Sequence, residues 1–159
     1  MTDTLVNDRY STKKDRHTIR AAVFVFLMKE EKTFLLRRQN TGWADGMFTV
    51  PSGHVDAGET VPQAAIKEVV EEAGVTVREE DLEFVHVQYV HDVYVNFYFR
   101  TERWEGEPHI GEPELASECG WFPLSGLPHD TIYHIQAMLL ESRGGYFSGV
   151  RNDPNPTHE

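Results

Sequence analysis

The segment TVPQAAIKEVVEEAG, residues 60–74, constrains the fold most, because the chemistry of both its ends is marked. Thr60 and Gln63 have the spacing of a capping box, and Pro62 sits in the first turn, where a missing N–H does no harm. Gly74 is placed to stop the helix in a left-handed conformation. The spacing therefore predicts a helix of roughly three to four turns. At about 100° per residue, Pro62, Ala65, Ile66, Val69, Val70 and Ala73 gather on one side, which is expected to face a core. Glu68, Glu71 and Glu72 fall on the other side within an arc of about 100°, with Ala64 leaving room and Lys67 at the margin. Like charges three and four residues apart repel by a few tenths of a kcal/mol per pair. A cation offsets that cost: a lysine on a solvated face, which is the ordinary fate of such residues, or a divalent metal ion, whose hard character suits carboxylate oxygens.

Around this helix the pattern is mostly strand. TIRAAVFVFLMKE (residues 18–30) reads as a buried strand, KEEK as a turn, and TFLLRRQ (33–39) as a second, antiparallel strand. NTGWADG is a glycine-bearing loop before the short strand MFTVP. After the helix, DLEFVHVQYV and VYVNFYFRTERW form a hairpin with alternating faces. WEGEPHIGEPELASE reads as a loop and CGWFPL as a short strand. DTIYHIQAMLLESRGG (130–145) is expected to be an amphipathic helix capped by Asp130 and stopped by Gly144 and Gly145, with Ile132, Ile135, Met138 and Leu139 inward. The expected class is α/β, a sandwich around a mixed sheet, as one domain over residues 18–150 with mobile ends at 1–17 and 151–159.

Composition narrows the partners. The net charge of −11 and the lack of a basic tract argue against a polymeric nucleic acid. They leave room for small phosphorylated ligands bound through divalent cations, which reverse the local sign of charge. No apolar run is of membrane-spanning length, so no membrane partner is expected. A polar N-terminal segment without a secretory pattern and a single cysteine, Cys119, fit a cytoplasmic, reducing location.

The loop before the helix adds a longer pattern. Gly53 is followed by five residues and Glu59, then by seven residues and Lys67-Glu68-Val69-Val70-Glu71-Glu72-Ala73-Gly74-Val75. This resembles the Nudix box, the signature of Nudix hydrolases, at every fixed position except Lys67, where the box has arginine. The resemblance extends over roughly residues 18–142, including NTGWADGMFTVPSG and WFPLSGLP. It implies the Nudix α/β/α sandwich, with the box as a loop–helix–loop at the sheet edge. It also implies hydrolysis of a nucleoside diphosphate linked to another group, using Mg²⁺ or Mn²⁺.

Carried over by position, the resemblance makes Glu68, Glu71 and Glu72 the catalytic metal ligands, helped by a backbone carbonyl of Ser52 or Gly53. Glu72 is also a candidate to orient or deprotonate the attacking water. Glu59 would pair with Lys67 and hold the loop against the helix, as a point charge in place of arginine's bidentate fork. Glu112, with Glu105, Glu107 and Glu114 as rivals, would supply a further ligand from across the site. One of the adjacent Arg37 and Arg38 is expected to reach a ligand phosphate, and position in the family favours Arg38. Trp43, Phe48, Tyr89 and Phe97 are candidates to stack on a base, although aromatic residues in strands more often fill a core. His54, His86 and His91 have no ligand spacing, and Cys119 reads as core filler. The expected substrate is a small nucleotide: a nucleoside triphosphate, unmodified or oxidised, giving monophosphate and pyrophosphate. ADP-ribose or another nucleotide sugar is the alternative within the class, and a non-catalytic nucleotide sensor the alternative outside it. Oligomeric state is left open.

Overall fold

The apolar run that opens the domain becomes the strand on which everything else is built. The computed structural model describes residues 17–148. Its elements are β1 (Arg20–Lys29), β2 (Lys32–Arg38), β3 (Phe48–Thr49), β4 (Ser52–His54), α1 (Val61–Ala73), β5 (Glu83–Val90), β6 (Tyr94–Thr101), β7 (Ala116–Pro123), α2 (Tyr133–Leu140) and β8 (Gly145–Ser148). The strands run in the order β3-β2-β1-β6-β5-β8, with β4 pairing β1 and β7 pairing β2. β1 and β6 are parallel, as are β5 and β8, and the other pairs are antiparallel. The sheet is therefore mixed.

Alternate residues of β1 serve two cores. Val23, Val25 and Leu27 pack with Ala64, Ala65, Val69 and Ala73 of α1, whereas Phe26 and Met28 pack with Ile135 and Met138 of α2. Burial on both faces is why this strand reads as an unbroken apolar run and not as an alternation. One helix on each face makes the expected α/β sandwich.

The turn between β1 and β2 consists of Glu30 and Glu31, at φ 51° and 63°, the left-handed pair that a two-residue hairpin favours. Beyond it the strands part. Their pairing is confined to Met28↔Thr33 and Lys29↔Lys32. Farther along, β4 takes the side of β1 at Ala22 to Phe24, while β3 and β7 flank β2. The wedge between β1 and β2 opens into the cavity described below.

Several expectations need correction. The second helix is shorter than residues 130–145 and has no side-chain cap; its N-cap position is Ile132. Asp130 instead pairs with Arg37. Gly145 does not stop the helix: it begins β8, which pairs with β5, and a short strand opening on glycine has too little periodicity to register in the sequence. The box loop contains the short strand β4, and β7 begins at Ala116, within what reads as loop. The inward side of α1 is also rotated: Val70 is 45% exposed, while Ala64 is fully buried. Mobile ends were expected at 1–17 and 151–159; apart from residue 17, these lie outside the described residues.

Candidate active site

Helix α1 is held at both ends as its local chemistry dictates. The Thr60 hydroxyl accepts from the Gln63 N–H at 3.2 Å, and the Gln63 side chain accepts from the Thr60 N–H at 2.8 Å. Gly74 is left-handed at φ 68° and its N–H returns to the Val70 carbonyl. Two further C-terminal carbonyls are met by the loop after β6: His109 N–H donates to Ala73 O at 3.0 Å and Gly111 N–H to Glu72 O at 2.9 Å. A Cβ at Gly111 would collide with the Glu71 carbonyl. That close approach, which only glycine permits, brings Glu112 alongside the helix.

Counting about 100° per residue, the buried Ala64, Ala65, Val69 and Ala73 span an arc of about 180°, and Glu68 and Glu72 lie inside it. The carboxylates do not face away from the protein. Glu68 lies against Gly53, where a Cβ would overlap its carboxylate. Glu72 Oε2 accepts from the Ser52 N–H at 3.1 Å. The β1–β4 ladder bonds fall at Pro51 and at Val55. By antiparallel alternation Gly53 also points at β1, so the Ser52 backbone groups point away from it, towards Glu72. Of the two carbonyls considered, Ser52 is the one on the carboxylate side. Glu71 is exposed at the rim of the cluster.

This packing sets the electrostatics. Burial first, then the charges of Glu68 and Glu112, push Glu72 up to about 8, against the Ser52 N–H and Arg38. Burial and the Glu71 charge push Glu68 up to about 7, with Lys67 opposing. Burial and Glu71 also raise Glu112. Lys67 Nζ bridges Glu59 and Asp56, each at 2.9 Å, and stands 3.8 Å from Glu68. Hydrogen bonds to Asp56 and then to Glu59 raise Lys67, while the Asp56 N–H and Lys67 hold Glu59 below the usual carboxylate range. The lysine is thus spent on the loop, and the cluster of Glu68, Glu72 and Glu112 stays short of positive charge.

The cluster opens into a cavity of about 860 Å³, lined by Glu72, Glu112, Ser52, Gly53 and Arg38 together with Gln88, Asn96, Trp43, Tyr133 and His134. The adjacent arginines diverge. Arg38 enters the cavity, donating from Nε to Trp43 O and from Nη2 to Thr41 Oγ1, each at 2.9 Å. Burial lowers its pKa, opposed by the charges of Glu72 and Asp45. Arg37 points to the other face, paired with Asp130 at 2.7 Å and Glu118 at 2.8 Å.

The NUDIX domain matches residues 18–141. The chain belongs to the Nudix family. Among relatives, it is 31% identical over 114 residues to the 8-oxo-dGTP diphosphatase of Escherichia coli, covering 70% of this chain and 85% of that protein. It is 31% identical over 127 residues to the ADP-ribose pyrophosphatase of Methanocaldococcus jannaschii, covering 77% of this chain and 73% of that one. The fold is similar to that of a MutT NUDIX hydrolase from Burkholderia pseudomallei, with a TM-score of 0.72 and 22% identity over 79% of this chain and 98% of the other. As a Nudix hydrolase the chain is an enzyme acting on pyrophosphate bonds, in a family that generally needs divalent metal ions.

In this Nudix domain the donor set fits such an ion. Glu68, Glu71, Glu72 and Glu112 offer hard oxygen ligands, and the burial that destabilises the charged forms of Glu68, Glu72 and Glu112 is what a cation relieves. Among the described residues no three acidic, histidine or cysteine side chains form a ready-made cage. Mg²⁺ asks for less, one or two carboxylates completed by waters and substrate phosphates.

Other expected residues fall elsewhere. Phe48 is corrected: it is 2% exposed in the core with α2, beneath the Arg37 guanidinium, and does not line the cavity. Tyr89, Phe97, Glu105, Glu107 and Glu114 also stay off its lining, whereas Trp43, His54 and His91 are on it. Sequence reading missed Gln88, Asn96, Tyr133 and His134. The available signal was the face of the β5–β6 hairpin carrying Gln88 and Asn96, where polar residues interrupt core positions. No helix among the described residues is long and apolar enough to cross a membrane.

Proposed function

We propose that this Nudix enzyme hydrolyses a nucleoside triphosphate, unmodified or oxidised, to a monophosphate and pyrophosphate. The observation that carries the reading is a cavity that runs from Glu72 of α1 and Glu112 to a floor of amide side chains and a tryptophan rim. Its size falls within the usual range for a small-molecule site. The relative named an 8-oxo-dGTP diphosphatase supports the same substrate class.

Glu68, Glu71, Glu72 and Glu112, with the Ser52 carbonyl, would hold Mg²⁺ or Mn²⁺. When bound, such an ion neutralises charge building on the diphosphate oxygens and lowers the pKa of a coordinated water. Glu72 would orient or deprotonate the attacking water. The Ser52 N–H fixes the rotamer of Glu72 for this task. Arg38 has five N–H donors, of which Trp43 O and Thr41 Oγ1 take two, so the others are left for phosphate oxygens. The Lys67 bridge to Glu59 and Asp56 would keep the Gly53 loop seated against Glu68. Trp43, held through its carbonyl by Arg38, would flank the base at the cavity rim.

The test is turnover of a panel of nucleoside triphosphates, 8-oxo-dGTP and ADP-ribose with Mg²⁺ or Mn²⁺, with products separated by chromatography. Nucleoside monophosphate and pyrophosphate are expected. AMP and ribose 5-phosphate from ADP-ribose, with the triphosphates untouched, would overturn the substrate class. Tight nucleotide binding without turnover under either metal would favour a sensor.

A further inference from the structure

The floor of the cavity holds two primary amides where a core would ordinarily have aliphatic side chains. Gln88 and Asn96 are direct cross-strand partners on β5 and β6, 2% and 5% exposed. Both line the cavity beside Ala22, which pairs with Asn96 in turn. Their mutual bonds leave capacity over. Gln88 Oε1 accepts from the Tyr98 hydroxyl at 2.7 Å and, weakly, from Asn96 Nδ2 at 3.4 Å. An amide carries two N–H donors and an oxygen with two lone pairs. Among the described residues no protein hydrogen bond occupies the Gln88 Nε2 donors or the Asn96 Oδ1 acceptor. Neither atom is among the buried ones shut off without a partner, so this spare capacity faces the cavity, and two such amides side by side mark a place where something polar is received.

We propose that Gln88 and Asn96 read the nucleobase: Gln88 donates and Asn96 accepts, so the pair selects a base edge with an acceptor beside a donor. The amino-bearing edge of adenine or cytosine, the lactam edges of guanine and uracil, and the N7–H/O6 edge of an 8-oxopurine carry this pattern; the N7/O6 edge of guanine, with two acceptors, does not. The Tyr98 hydroxyl acts as a positioning group, anchoring the Gln88 oxygen so that its N–H groups turn to the cavity. Tyr98 is fixed in turn by contact with His134 Nδ1 at 2.9 Å and by stacking on Phe24, with ring centroids 5.0 Å apart. The inference rests on a nucleotide being the substrate but not on where its phosphates are cut.

The test therefore reads binding. Calorimetry with AMP, GMP, CMP, UMP and 8-oxo-dGMP is compared for the wild type, for Gln88→Glu, which keeps shape while turning the Nε2 donor into an acceptor, and for Asn96→Val, which removes the Asn96 acceptor. All five carry the pattern, but on edges placed differently about the glycosidic bond, so a fixed pair of amides is expected to rank them. Each variant should weaken the tightest by roughly ten-fold or more, the scale of one good base contact, and reorder the panel. An unchanged ranking in both variants, or a wild type that binds all five alike, overturns the proposal whatever the enzyme hydrolyses. If Gln88→Glu fails to fold, Asn96→Val decides. Asn96→Val separates reading from packing: it should lose discrimination while melting no lower than wild type, and a large fall in Tm with the ranking intact would make the pair structural.

Discussion

The two helices cover opposite faces of one sheet but are secured by different means. α1 carries its own instructions: a capping box at Thr60, a left-handed glycine at its end, and small residues that seat it on β1. α2 has no side-chain cap and is placed by the rest of the molecule. Phe48 N–H donates to Asp130 O and Ile132 N–H to Phe48 O, each at 2.9 Å, while Asp130 is tied to Arg37 across the chain. The locally specified helix carries the carboxylates, and the helix placed from outside carries Tyr133 and His134 to the cavity wall. Chemistry that needs fixed mutual spacing thus sits on the element with the strongest local constraint, and cavity shape on the element most dependent on its neighbours.

The largest effect that would sharpen this contrast is on α1. Glu72→Gln is expected to lose roughly 10²-fold or more in kcat, the scale of a lost acid–base or ligand group. Its Tm should stay at or above that of the wild type, because a neutral amide replaces a buried carboxylate. Full activity would break the assignment of this helix to catalysis.

A pair of variants comes next. Thr60→Ala removes a cap and should cost about 1 kcal/mol, a fall of roughly 2–4 °C in Tm for a chain of this size, with KM unchanged. Asp130→Ala removes a partly solvated ion pair worth up to about 1 kcal/mol. It should raise KM as well, because Tyr133 and His134 shift. Equal KM in the two would show that α2 needs no latch.

The regions should also titrate in opposite senses. Glu68 and Glu72 hold their protons more tightly folded than unfolded, with values near 7 and 8 against 4.5. Between about pH 4.5 and 8 the folded state therefore binds more protons, and metal-free stability should fall as pH rises through that window. Asp130 is held below 3.8, chiefly by its hydrogen bond to Arg37, so its contribution is present above that pH and disappears as pH falls through its folded value. Thermal melts across pH, with and without millimolar Mg²⁺, check both; added cation should flatten the upper decline. A metal-free Tm that rises from pH 5 to 8 would contradict the burial of the carboxylates.

The smallest effect concerns Lys67. It already bridges two carboxylates as a point charge, so Lys67→Arg should alter stability by less than about 0.5 kcal/mol and leave kcat close to wild type, measured by melting and turnover. A marked gain in kcat would mean that loop rigidity limits this enzyme.

Much of the site was legible because it lies in one continuous stretch. Spacing alone brought Glu68, Glu71 and Glu72 together, and the lone exchange at Lys67 stood out against the motif. The orientation of the helix was misread, since Ile66 and Val70 outweigh Ala64 in any count of apolarity, yet Ala64 is the buried one. What covers that side is the Gly53 loop and the Gly111 loop, neither of which helical periodicity can register. Phe48 was misassigned for a related reason: an aromatic residue in a strand has two faces to choose from, and nothing local says which one meets the ligand.

By itself the sequence determined the helix between Thr60 and Gly74, the two-faced burial of β1, the hairpin of β5 and β6, and the family to which they belong. These rest on interactions within a few residues or on periodicity, which a linear string preserves. Only the tertiary structure decided that β1 and β2 part after two pairs, that Glu112 docks through Gly111, that β8 exists, and that Gln88 and Asn96 meet on a cavity floor. Each of these joins residues distant in sequence, and contact across such distances is settled by which surfaces pack together, a quantity no local pattern encodes.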